Sequence, residues 1–120
     1  MARNYTKLTR DVLEQTLEAG PPATEQPDEG YVLVNVLDEE QFEQEHIPGS
    51  INIPRGQIDA FEERFGKQKK IIVYCASREC PASNQAAEEL ADRGFQHVYD
   101  YEAGMRGWKE AGNRVEGSAA

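Results

Sequence analysis

Two cysteines, Cys75 and Cys80, bracket the short segment Ala76-Ser77-Arg78-Glu79. Cys75 closes the apolar run Ile71-Ile72-Val73-Tyr74, and Pro81-Ala82-Ser83-Asn84-Gln85-Ala86-Ala87 follows Cys80. This pattern predicts a buried strand, a tight loop and a helix start, with a thiol at the strand's end. A thiol held there faces backbone N–H groups and the positive end of a helix dipole, both of which favour thiolate over thiol. The chemistry expected of Cys75 is therefore nucleophilic sulfur chemistry. The alternative is an inert buried thiol, since free cysteine is among the most buried residue types; the strand-end position favours the reactive reading.

The rest of the loop offers weaker candidates. Cys80 either resolves a sulfenate or persulfide on Cys75 or packs beneath the loop, and the first role requires that the two sulfurs reach disulfide geometry. Arg78 is a cation able to hold an anionic sulfur donor or lower the Cys75 pKa, but Glu79 beside it leaves little net positive charge, and a solvated loop charge is the alternative. Ser77 either donates a hydrogen bond to a thiolate or persulfide or simply shapes the turn. Ala76 and Pro81 complete the loop that would border a substrate. His46 and His97 lie far from Cys75 in sequence and neither belongs to a ligand pair, so turn contacts are expected of His46 and no metal site is expected.

The elements that must position this loop can be read from periodicity. Thr9 caps an amphipathic helix to Ala19, ended by Gly20-Pro21-Pro22, and residues 20–30 are linker-like. Tyr31 to Val36 is a near-continuous apolar run, as in a strand covered on both faces of a parallel sheet. Asp38-Glu39-Glu40-Gln41 opens a short helix to about Glu45 in the manner of a capping box. Ile51-Asn52-Ile53-Pro54 reads as a brief strand, and Gln57 to Phe65 as a small helix stopped by Gly66. The helix after the cysteine loop runs from about Pro81 to Arg93, with Pro81 in its first turn and Ala82, Ala86, Ala87, Leu90 and Ala91 as its buried stripe. Phe95 to Tyr99 alternates as a further strand, and Gly104-Met105-Arg106-Gly107-Trp108-Lys109 starts a last helix ended by Gly112. Strands alternating with helices define an α/β domain whose ligand lies outside the strand C-termini, where Cys75 stands.

Bulk properties bound the function. The chain's 120 residues and 38% hydrophobic content suit one domain with one modest core. We expect residues 1–30 to be a helix and linker belonging to that domain, 31–116 its core, and 117–120 a frayed tail. A formal charge of −9 argues against nucleic acid and anionic membrane surfaces as partners. No apolar run approaches the ~20 residues of a membrane span, no signal peptide is visible in Met1 to Lys7, and two cysteines make no disulfide framework. A cytoplasmic location is expected.

Three segments together resemble the rhodanese-like family. Val32-Leu33-Val34-Asn35-Val36-Leu37, Glu40-Gln41-Phe42 and His46-Ile47-Pro48-Gly49-Ser50-Ile51-Asn52-Ile53-Pro54 are similar to its first signature. Val73-Tyr74-Cys75 ahead of Ser83, Ala86, Ala87 and Leu90 resembles its active-site loop and helix, and Gly104-Met105-Arg106-Gly107-Trp108 with Gly112 resembles its closing segment. The resemblance implies a single domain with a central, mostly parallel sheet flanked by helices on both faces. It implies that Cys75 takes sulfur from a donor, thiosulfate or a protein persulfide, carries it as a persulfide and passes it to a thiol or protein acceptor, without a cofactor. Loop amides would stabilise the charge on the outer sulfur. Asn35 and Leu37 stand where the family usually places Asp and Arg, so the usual ion pair is not expected. The loop is longer than the common family form and lacks its Gly and the Arg before the serine, which argues against strong thiosulfate activity. Pro81 stands where the phosphatases of this fold carry their phosphate-binding arginine, which argues against phosphatase activity. A rhodanese-like binding or redox-sensor module using the Cys75/Cys80 loop is the other function class.

Overall fold

The computed structural model describes residues 5–23 and 29–118. The apolar runs of the sequence become the middle of a sheet. In chain order the elements are β1 (Thr6–Leu8), α1 (Arg10–Ala19), β2 (Tyr31–Asn35), α2 (Glu39–Gln44), β3 (Ile51–Asn52), a 3-10 turn (Arg55–Gln57), α3 (Asp59–Arg64), β4 (Lys70–Tyr74), α4 (Ala82–Asp92), β5 (His97–Tyr101) and α5 (Gly104–Glu110). The five strands lie in the order β1-β5-β4-β2-β3, and every pair is parallel. This is the α/β architecture expected, with the sheet parallel throughout its described pairs.

Alternate residues of a strand point to opposite faces, and both faces are covered. On one, Val32, Val34, Ile71, Val73, Cys75 and Val98 pack with Phe61 of α3 and with Ala86, Ala87 and Leu90 of α4. On the other, Leu33, Ile72, Tyr74 and Tyr101 meet Leu13 of α1 and Met105 and Trp108 of α5. Burial on two sides is why β2 and β4 read as unbroken apolar runs.

Several elements differ from their sequence reading. Three-residue β1 is absent from that reading: Thr6 and Lys7 are exposed and carry no apolar pattern, and only pairing with β5, Thr6 opposite Tyr99 and Leu8 opposite Tyr101, makes them a strand. Pro81 caps α4 from outside its first turn. The linker-like stretch is folded back at both described ends, where the Lys69 ammonium donates to the carbonyls of Ala23 and Glu29 and the Tyr31 hydroxyl to that of Gly20 at 2.8 Å; residues 24–28 lie outside the described residues. The tail is tethered as far as Ser118, whose N–H donates to the Glu43 carbonyl at 2.9 Å, and 119–120 lie outside the described residues. At Asn35 the side-chain oxygen accepts from the Leu37 N–H at 2.9 Å, a local turn in place of the family's ion pair.

The chain leaves β2 toward β3 on one side and leaves β4 toward β5 on the other. Connections that depart in opposite directions open a crevice outside the carboxyl ends of the two strands, the usual ligand position in such sheets. Cys75 follows directly on β4 at that point.

Candidate active site

The loop from Ala76 to Pro81 is held at both ends. At its start, the Met105 and Arg106 N–H groups of α5 donate to the carbonyls of Cys75 and Ala76, each at 2.9 Å. Such an approach requires Gly104: its φ is +64°, and a Cβ there would lie 2.4 Å from the Cys75 carbonyl oxygen and 2.9 Å from the Ser77 nitrogen. At its end, the Cys80 N–H donates to the Ser77 carbonyl at 3.2 Å, and the Gln85 N–H to that of Pro81 at 3.0 Å.

Cys75 is fully buried beneath this loop. Its thiol donates toward the Cys80 carbonyl at 3.3 Å, the Ser83 hydroxyl at 3.5 Å and, more weakly, the Ser77 carbonyl at 3.8 Å. Burial, with the adjacent Cys80 thiol, pushes the Cys75 pKa up to about 11, against the hydroxyl and backbone N–H of Ser83, which favour the thiolate. The expected bias toward thiolate is thus reversed in this conformation. The loop turns carbonyl oxygens onto the sulfur, and two N–H groups of α5 are taken up by the carbonyls of Cys75 and Ala76.

The other loop candidates are placed as follows. Arg78 is exposed and pairs with Glu102 at 3.1 Å, which also pairs with Lys7 at 2.9 Å. The Glu79 backbone N–H, with the Ser77 hydroxyl, holds the Glu79 carboxyl below its usual range. Cys80 is a free, half-buried thiol near enough to help push the Cys75 pKa up, so the structure brings the two cysteines together. His46 stacks on Phe42, with ring centroids 4.0 Å apart, and its Nδ1 bonds the Phe42 carbonyl at 2.7 Å, as expected of a turn contact. His97 opens β5 at the far end of the strand. Among the described residues no group of three or more His, Cys, Asp or Glu side chains is placed to hold a metal ion. No helix there is long and apolar enough to cross a membrane.

A crevice of about 370 Å³ opens at the strand ends, bordered by Gln41 and Gln44 of α2, Arg106 and Lys109 of α5, and Ala76. Its cations are paired, Lys109 with Glu45 at 3.0 Å and Arg106 with Glu110 at 3.7 Å.

Two site features escape the sequence reading. One is the backbone approach at Gly104. The other is Asp100, fully buried in β5 between Val73 of β4 and Lys7 of β1, with neither carboxylate oxygen in full hydrogen-bond geometry with any described residue. An aspartate flanked by Tyr99 and Tyr101 belongs to no motif, and its burial follows only from the neighbouring strands and α4.

The fold, the strand-end cysteine and the loop leading into a helix define a rhodanese-like domain, and the match of that family to residues 11–111 shows that this chain belongs to it. Thiosulfate sulfurtransferase GlpE of Coxiella burnetii is 30% identical over 78 residues, covering 65% of this chain and 71% of that protein. The proposed sulfur carrier protein YrkF of Bacillus subtilis is 31% identical over 81 residues, 68% of this chain and 43% of that one. Among solved structures, the rhodanese-like domain of the Alr3790 protein from Anabaena superposes with a TM-score of 0.81 at 28% identity, covering 97% of this chain and 82% of that one.

Proposed function

We propose that this domain is a sulfurtransferase or persulfide carrier in which Cys75 accepts sulfane sulfur and passes it to a thiol or protein acceptor. The observation that carries this reading is the position of Cys75 at the sheet's switch point, under a loop, with the Ser83 N–H and hydroxyl beside its sulfur. The relatives' names support it: GlpE is a thiosulfate sulfurtransferase and YrkF a proposed sulfur carrier protein. In the first half-reaction the Cys75 thiolate attacks the outer sulfur of the donor; a new S–S bond forms, and the donor's own bond to that sulfur breaks with its electron pair leaving on the donor. In the second, an acceptor thiolate attacks the outer sulfur and the Cys75 thiolate departs. Because the thiol is buried, the loop from Ala76 to Pro81 must move aside for either partner.

The charge pattern favours a thiol-borne or protein-borne persulfide over thiosulfate as donor. Arg78, Arg106 and Lys109 each pair with a carboxylate, which leaves little net positive charge for a small dianion. Incubated with a persulfide donor, the Cys75 peptide is expected to gain ~32 Da per sulfur, with less from thiosulfate and none in Cys75→Ser. An unmodified wild-type thiol across all donors contradicts the proposal.

The closeness of Cys80 favours a second reading, a redox-sensing module. Peroxide would then draw two electrons from the two thiols, forming a Cys75–Cys80 disulfide and water. A disulfide under mild oxidant that alters partner binding, with no sulfur taken from any donor, selects this reading over the first.

A further inference from the structure

Asp100 is a cost to the fold that the sheet does not need. A carboxyl group removed from water without full hydrogen bonding destabilises the native state, and this one is fully buried with neither oxygen in full hydrogen-bond geometry with a described residue. Its surroundings are specific. Asp100 lies opposite Val73 in β4, and Cys75, two residues beyond Val73, shares that face of the sheet. Ser83, in the first turn of α4 and itself buried, reaches both groups: its hydroxyl is 3.5 Å from the Cys75 sulfur and approaches the Asp100 carboxyl closely enough to favour its ionised form.

We propose that Asp100, acting through the Ser83 hydroxyl, accepts the Cys75 proton when the sulfur becomes a nucleophile. The Sγ–H proton passes to Ser83 Oγ as the Ser83 proton passes to a carboxylate oxygen of Asp100. One S–H and one O–H bond break, two O–H bonds form, and nothing is oxidised. The single negative charge of the cluster moves from a carboxylate to the thiolate, so the buried site never holds both. When sulfur leaves Cys75 for the acceptor, the regenerated thiolate recovers its proton by the reverse path. Asp100 touches neither sulfur nor substrate, so it is a positioning residue, and the proposal rests on the sulfur-transfer reading above.

Other groups around Asp100 set when this acceptor is available. Burial and the Glu102 charge push its carboxyl up, while Ser83 and the Lys7 ammonium on β1 pull it down. Burial, with the nearby charges of Asp100 and of Glu88 of α4, pushes the Tyr5 phenol up, so it stays neutral. Just past the end of β4 the titratable neighbour on this face is Cys75 itself, held as a neutral thiol at neutral pH.

The test is the pH profile of Cys75 alkylation by iodoacetamide in the full chain, for wild type, Asp100→Asn and Ser83→Ala, with folding checked by circular dichroism. Trypsin cuts after Arg78 and so separates the Cys75 and Cys80 peptides. In wild type the rate should rise as Asp100 ionises, level off, and rise again as the thiol itself ionises. Asp100→Asn should remove the lower limb, with a fall of about a hundredfold or more at pH 7, the low side of what a positioned base supplies, and keep the upper limb. Ser83→Ala should also remove the lower limb, even if the Asp100 variant does not fold, and should move the upper limb to higher pH because its hydroxyl favours the thiolate directly. A smaller fall overturns the proposal, and so does a rise, which marks Asp100 as a repelling charge only. Iodoacetamide reads the thiolate whether or not any donor delivers sulfur. A wild type that forms no persulfide therefore fails the sulfur-transfer reading while the profile still judges the relay.

Discussion

Cys75, the proposed sulfur acceptor, is buried and its thiol is held neutral, and that state has measurable consequences. Burial pushes the Cys75 thiol from its ordinary value of 9.0 up to about 11 in the folded protein. A group whose folded pKa is raised gives stability that is fully present below its unfolded pKa and lost as pH rises through the folded one. The denaturation midpoint should therefore fall between about pH 9 and pH 11, and Cys75→Ala should flatten that fall. Tyr101, pushed up to about 12 by burial, leaves a residual slope at the top of the range. An equal fall in both proteins, followed by urea denaturation, removes Cys75 as its cause. At this scale Cys75 was legible because an apolar run ending in a cysteine before a helix start has few readings. Its protonation was not, because the direction in which six loop residues turn their carbonyls is a tertiary fact. Asp100 had no sequence signal, since its burial depends on β1, which is itself invisible in the sequence.

At the scale of elements, the site depends on the contact between α5 and the cysteine loop. The Met105 and Arg106 N–H groups hold two loop carbonyls, and Gly104 leaves no room for a side chain between them. Gly104→Ala combines a left-handed backbone with a Cβ driven onto the Cys75 carbonyl, and should destabilise the fold by about 2–4 kcal/mol. Urea denaturation measures this, and a loss under about 1 kcal/mol, near the centre of ordinary substitutions, means the loop and α5 separate readily. The helices were mostly legible from their caps, as at Thr9, whose hydroxyl accepts from the Val12 N–H at 3.3 Å, and at Asp38, whose carboxylate accepts from the Gln41 N–H at 2.8 Å. What α5 does for the loop was not, because a glycine in a helix start signals a turn long before it signals close packing.

Across the whole molecule, the described N-terminal elements β1 and α1 pack against the sheet. β1 closes one edge of the sheet beside β5 and Leu13 of α1 is fully buried over one of its faces, so deleting residues 1–19 uncovers a strand edge and an apolar face together. The truncated chain should lose cooperative thermal unfolding; a melt matching the full chain contradicts this. Parallel strands made the α/β class readable, since burial on both faces leaves unbroken apolar runs in the sequence. The central claim, that Cys75 carries sulfur, is met most directly by one measurement: the mass of the Cys75 peptide after treatment with a persulfide donor, removal of the donor, and addition of an acceptor thiol. The peptide should be heavier by ~32 Da before the thiol and unmodified after it. A peptide that never gains the mass, or keeps it in the presence of thiol, contradicts the claim.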